Sequence, residues 1–163
     1  MPVVSNTSPI LNLAIVDKLF LLRKQFGEIL IPAGVFEELR MNEDLPGSCI
    51  IREAFMSKWI KVHKVNNFPL IHILRRELDK GESEAIALAL EIQAERILLD
   101  ERDARNIAKS FGLKVTGLLG VILHAQNSGD VLSVSETVKE LCEKAGFRIS
   151  PKLLADINQD FFV

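Results

Sequence analysis

Short apolar runs alternate with longer amphipathic stretches along most of the chain. PVVS at 2–5 closes on polar residues and predicts a first strand. SNTSP follows, where Thr7 or Ser8 can cap a helix whose first position is Pro9, since that proline gives up no needed hydrogen bond. ILNLAIV continues this helix. DKLFLLRKQFG predicts a second, with Asp17 near its start and Gly27 just past its end. EILIP at 28–32 is the next strand, stopped by Pro32. AGVFEELR is a short helix on which Val35, Phe36 and Leu39 can share one face.

Beyond the polar loop MNEDLPGSC, IIREAFMSKW is amphipathic and predicts a helix. IKVHKV alternates with period two and predicts a strand near a sheet edge. FPLIHILRRELDKG reads as a helix ending at Gly81. ESEAIALALEIQAE is the helix expected to be most buried, because Ala85–Leu90 is wholly apolar. RILLD is a short buried strand, ERDARNIAKSFG an amphipathic helix closed by Gly112, and LKVTG a strand and turn. LLGVILHAQNSG and SVSETVKELCEKAG are helices with glycine stops. FRIS is expected to be a short final strand and PKLLADINQDFF a terminal helix.

Strands alternating with helices imply crossover connections and a parallel sheet covered on both faces. The expected fold class is therefore α/β: a single three-layer α/β/α domain over 1–163, with about 150–163 as a terminal extension. The chain's 163 residues suit one core. A core of Leu, Ile, Val and Ala is expected, because 48% of residues are hydrophobic but only 6% aromatic. The net charge of −2 gives no global basic excess and lowers the expectation of a pure nucleic-acid binder. An enzyme binding RNA through a local patch and a metal stays open. Cys49 and Cys142 have no C-x-x-C partner, which argues against a structural zinc or a disulfide framework and fits a reducing cytosol. No signal peptide and no membrane span are expected, so a cytoplasmic location is the reading.

In an open parallel sheet, ligands bind beyond the carboxyl ends of the strands, where strand order reverses. Asn6, Asp100 with Glu101, and Thr116 with Gly117 follow predicted strands. Glu38 lies near the end of AGVFEELR, and Glu84 near the start of the buried helix. Acids converging there repel one another and call for a cation. Mg²⁺ or Mn²⁺ would neutralise them, activate water and steady charge on a phosphodiester. For Asn6 helix capping is an alternative role compatible with ligation, for Asp100 capping of the helix it precedes is the competing account, and for Glu84 a favourable place on the helix dipole. Glu37 and Glu82 are expected to be exposed. Thr116 can bond a carboxylate or phosphate, or simply serve the turn. Arg75, Arg76, Arg102 and Arg105 are candidates for phosphate contact, with solvated helix faces as the plainer reading. His63, His72 and His124 are scattered and read as structural.

VVSNTSPILNLA, ILIPAGVFEEL, GESEAIALALE, and ILLDERDARNIA with KVTGLLGVILHA, in this order, resemble the PIN-domain family over nearly the whole chain. The family usually has an aspartate ending the first strand, an acid in the helix before a leucine, another ahead of an alanine-rich run, and a fourth after the next central strand. These positions fall on Asn6, Glu38, Glu84 and Asp100, with Glu101 or Asp103 as a further acid and Thr7, Ser8 and Thr116 as substrate contacts. The resemblance implies a metal-dependent endoribonuclease, like toxins of bacterial and archaeal toxin–antitoxin pairs. RNA, an antitoxin-like protein and a second copy of the chain are the implied partners. Asn6 departs from the pattern, since an amide oxygen can ligate Mg²⁺ but brings no charge. The alternative is a weak or inactive PIN-fold module that binds nucleic acid or protein.

Overall fold

The computed structural model describes residues 2–153 and 155. Its strands are β1 (Val3–Ser5), β2 (Ile29–Ile31), β3 (Ile60–Val62), β4 (Arg96–Leu98) and β5 (Val115–Thr116). They form one parallel sheet in the order β3-β2-β1-β4-β5. Helices α1 (Thr7–Ile15) and α2 (Phe20–Phe26) join β1 to β2. Helices α3 (Ala33–Glu38) and α4 (Ser48–Met56) join β2 to β3. Helices α5 (Phe68–Leu74) and α6 (Lys80–Glu91) lead to β4, and α7 (Arg102–Ser110) leads to β5. Helices α8 (Leu118–Asn127) and α9 (Val134–Ala145) follow.

Alternation along the central strands builds the three layers. Val3 and Leu98 point into a core shared with α1, α2, α4, α8 and α9. Val4, Ile97 and Leu99 point to the opposite face, against α5, α6 and α7. That is why RILL carries no polar residue at its buried positions: both faces are covered. Helix α6 packs on α3, α5 and β1. Its small residues Ala85, Ala87 and Ala89 allow close approach, while Ile86 and Leu88 are fully buried. Each of those two large side chains contributes about 1.5–3 kcal/mol through burial.

Several elements depart from the sequence reading. Helix α1 starts at Thr7, two residues before Pro9, whose missing N–H still falls among the first-turn donors that lack intrahelical partners. The helix expected over 68–81 is two helices. The first, α5, ends at Leu74, and Asp79 starts α6 with a reciprocal capping box: it accepts the Glu82 N–H at 2.8 Å, and Glu82 accepts the Asp79 N–H at 3.2 Å. Gly81 therefore lies inside a first turn and ends nothing. Phe36 is largely exposed and meets Phe55 edge-on, with ring centroids 5.4 Å apart. FRIS forms no strand. Gly146 ends α9 in the left-handed conformation, and the Phe147 N–H bonds back to the Leu141 carbonyl at 3.2 Å. That turn packs Phe147 onto the core beside α9 and carries the chain past the sheet without pairing. Residues 151–153 are helical, and most of the expected terminal helix lies outside the described residues. Among the described residues, no helix is long and apolar enough to cross a membrane.

Candidate active site at the ends of β1 and β4

Strand order reverses between β1 and β4, and Asn6 and Asp100 stand just past their carboxyl ends, the place where a ligand crevice is expected. The Asn6 N–H donates to the Leu98 carbonyl at 3.0 Å and ties the two strand ends together. Asn6 holds the N-cap position of α1, yet among the described residues its side chain makes no capping bond. The third helical residue, a usual donor to such a cap, is Pro9 and has no N–H. Asn6 is 5% exposed, and its Oδ1 is buried without a partner among the described residues.

Helices α3 and α6 meet through two glycines, each receiving a carboxylate from the other helix. Glu38 on α3 lies over Gly81 on α6, where a Cβ would come within 2.6 Å of Oε1 and 2.7 Å of Oε2. The Thr7 hydroxyl donates to Glu38 Oε2. Glu84 on α6 lies over Gly34 on α3, where a Cβ would sit 2.4 Å from Oε2. The Gly34 N–H donates to Glu84 Oε1 at 3.3 Å. Glu38 is exposed, whereas Glu84 is buried and its Oε2 has no partner among the described residues.

Asp100 forms the opposite wall. Its Oδ1 accepts the Leu118 N–H at 2.8 Å, and its Oδ2 accepts the Ser8 hydroxyl at 3.2 Å. It therefore caps α8 and not the helix that follows it in sequence. Arg105 lies across Gly117 and donates to the Leu99 carbonyl at 2.9 Å. Burial pushes the Asp100 carboxyl up, while the Leu118 N–H, the Ser8 hydroxyl and the Arg105 charge pull it down.

The other expected site residues sit differently. Glu101 and Asp103 line a neighbouring groove with Asp79 and Glu82. Thr116 accepts a hydrogen bond from Arg96 beside it on β4. Glu82 is buried and not exposed, because the capping box turns it inward. Burial lifts its carboxyl to about 7; the Asp79 N–H opposes this, and the nearby Asp79 and Glu101 charges add to it. Sequence reasoning missed the roles of Gly34, Gly81 and Gly117. For Gly34 the available signal was an isolated glycine within the helical pattern AGVFEELR, which often marks close packing.

Among the described residues, no three His, Cys, Asp or Glu side chains gather around one point. The donors at hand are all oxygens: Asn6 Oδ1, Glu84 Oε2, and the carboxylates of Glu38 and Asp100. Two of these oxygens are buried and unpartnered. Such a set fits a hard divalent cation of the Mg²⁺ kind, which takes few protein ligands and keeps several waters.

A family model described as a PIN domain matches residues 2–161. The fold is similar to that of a PilT N-terminus domain protein from the hyperthermophilic archaeon Sulfolobus solfataricus P2. The TM-score is 0.51 at 17% identity, over 77% of this chain and 93% of that one, a likeness of fold alone. No curated protein matches the sequence. The family match runs through every strand and helix that frames the crevice, and the chain belongs to the PIN-domain family.

Proposed function

We propose that the protein is a metal-dependent endoribonuclease of the PIN type, hydrolysing phosphodiesters of RNA. PIN domains carry a nuclease-like fold, and family members generally use divalent metals. The observation that supports the reading is a pair of buried oxygens without a partner among the described residues, Asn6 Oδ1 just past β1 and Glu84 Oε2 on α6. An unsatisfied buried acceptor costs about 1–3 kcal/mol, so each favours a bound cation.

Asn6, Glu84 and Asp100, with Glu38, would hold Mg²⁺ or Mn²⁺. When bound, the ion supplies an activated water and steadies negative charge on the phosphodiester. The chain's own residues prepare the crevice. The Thr7 hydroxyl aims Glu38, and the Ser8 hydroxyl and Leu118 N–H aim Asp100. Burial raises the Asp100 carboxyl, and the Leu118 N–H, the Ser8 hydroxyl and the Arg105 charge oppose that rise. Glu101 and Asp103 face the neighbouring groove and are left out of this ligand set. The same reading makes an antitoxin-like protein a partner, and a homodimer the assembly that widens the nucleic-acid groove.

The test is cleavage of a single-stranded RNA with Mn²⁺ by wild type and Asp100→Asn. The variant is expected to be slower by about 10²-fold or more. Equal rates would place the activity elsewhere. A second reading, a PIN-fold binder without catalysis, is favoured by the neutral Asn6 side chain. Calorimetry separates the two: no heat with millimolar Mn²⁺, alongside intact RNA binding, selects the binder.

A further inference from the structure

A cavity of about 690 Å³ opens beside Asp100, on the side away from Glu38 and Glu84. One wall is α7, which contributes Arg102 and Arg105. The facing wall is the segment after α9, which contributes Arg148. The floor is the first turn of α8, Gly117–Gly120. Three guanidinium groups against one carboxylate make this cavity cationic within a chain whose net charge is −2. Among the described residues, none of the three arginines is in an ion pair. Asp100 is the acid that shares the cavity with them, and Arg102 also borders the neighbouring groove of Asp79, Glu82, Glu101 and Asp103.

The floor points the same way. The first N–H groups of a helix have no intrahelical partner and carry its positive dipole end. In α8 the Leu118 N–H is taken by Asp100. Leu119 and Gly120, the next two residues of that first turn, also line the cavity. Anions bind at such ends when cationic side chains surround them. The volume is that of a site for a small organic ligand, roughly one or two nucleotides, and leaves no room for a duplex.

We propose that this cavity is the track for the single RNA strand that flanks the scissile phosphate, with Arg102 and Arg148 gripping successive phosphates from opposite walls. The proposal rests on the nuclease reading for its substrate class. It adds a direction: the strand leaves the crevice past Asp100, between α7 and the segment after α9. Arg105 is a positioning residue, held by the Leu99 carbonyl and packed on Gly117. Arg75 and Arg76, the other arginine pair, follow α5 and do not line this cavity.

The experiment measures binding of a fluorescent single-stranded RNA by anisotropy in EDTA, where no cleavage occurs, over a series of salt concentrations. Wild type is compared with Arg102→Gln/Arg148→Gln and with Arg75→Gln/Arg76→Gln, all checked for folding by thermal melting. The first double variant is expected to bind at least about tenfold more weakly. Its slope of log affinity against log salt falls by about 1.4, the contribution of two phosphate contacts on a single strand. The second double variant binds like wild type. If both variants bind like wild type while Mn²⁺-dependent cleavage still requires Asp100, the track is overturned and the nuclease reading stands. If only Arg75→Gln/Arg76→Gln loses affinity, the strand runs on the other side and the track is likewise overturned. Wild type that binds RNA through Arg102 and Arg148 but never cleaves it supports the track and removes the nuclease. Wild type that neither binds nor cleaves RNA overturns both.

Discussion

Asp100 and Glu84 approach the end of β1 from opposite walls, and their surroundings differ. Both oxygens of Asp100 accept hydrogen bonds, one from a backbone N–H and one from a hydroxyl, with a guanidinium close by. Glu84 has one oxygen on the Gly34 N–H, and the other has no partner among the described residues despite its burial. A satisfied carboxylate is fixed in place by the fold. One left half-satisfied keeps its affinity for whatever supplies the missing positive charge. Asn6 sits between the walls and shares the deficit of Glu84, since proline at the third helical position denies its Oδ1 a usual partner. On the proposed nuclease reading, the Asp100 wall is finished by folding and the Glu84 wall waits for the cation.

Asn6→Asp would exploit this contrast most. Two unit charges about 4 Å apart interact by about 4 kcal/mol at an effective dielectric near 20, a gross figure that hydration largely offsets. Mn²⁺ is expected to bind Asn6→Asp at least about tenfold more tightly by calorimetry, a net gain of about 1.4 kcal/mol. In EDTA the same variant melts lower, because a new buried carboxylate there has no partner. A higher melting temperature in EDTA, or unchanged Mn²⁺ affinity, would mean that Asn6 does not face the ion.

The two glycines between α3 and α6 refine the comparison within the waiting wall. Gly34→Ala drives a methyl against the buried Glu84 carboxylate, 2.4 Å from its Oε2. Overpacking there is expected to cost about 1–2 kcal/mol and to weaken Mn²⁺ binding as Glu84 is displaced. Gly81→Ala presses on Glu38, but that carboxylate is exposed and can swing aside. The gain in helix propensity offsets its small cost, leaving stability within about 0.5 kcal/mol of wild type. Denaturant unfolding in EDTA ranks the pair. Equal losses would show that burial of Glu84 does not restrict it.

Much of this was legible in the sequence, for identifiable reasons. Parallel strands buried on both faces write continuous apolar runs, so VVS, ILI and RILL announced the sheet. The switch-point rule then singles out Asn6 and Asp100, which follow the two adjacent central strands β1 and β4. Local signals failed where a side chain's partner is distant in sequence. Asp100 reads as a cap for the helix beside it, yet it caps α8, reached only through β5. Glu82 is expected to be exposed when D-K-G is taken as the end of a helix, yet Asp79 and Glu82 form a capping box that buries it. FRIS has strand composition, but Gly146 turns it away from the sheet. The close approach of α3 and α6 left only glycines as its trace, and their meaning depends on which carboxylates arrive from the other helix.

Glu82 offers the smallest effect and a third case beside the two walls: a buried carboxylate for which the fold supplies a proton in place of a full set of donors. Burial raises it from an ordinary 4.5 to about 7. Between those values the native protein holds a proton that the unfolded chain has lost. Stability linked to Glu82 is therefore fully present below about 4.5 and is lost as pH rises towards about 7. Glu82→Gln keeps the acceptor for the Asp79 N–H, since glutamine serves equally in a capping box, but it never ionises. Near pH 4.5 the variant and wild type should have similar stability. At pH 8 the variant should be more stable by about 1–2 kcal/mol, a figure kept below the full linkage value because solvent reaches part of the groove. That corresponds to roughly 2–8 °C in melting temperature for a chain of this size. The measurement is the difference in melting temperature between the two proteins from pH 4.5 to 8, in EDTA so that no cation contributes. A difference that stays flat with pH would mean that Glu82 ionises as freely as an exposed acid, and that the groove it shares with Glu101 and Asp103 is wet enough to hold all three charges.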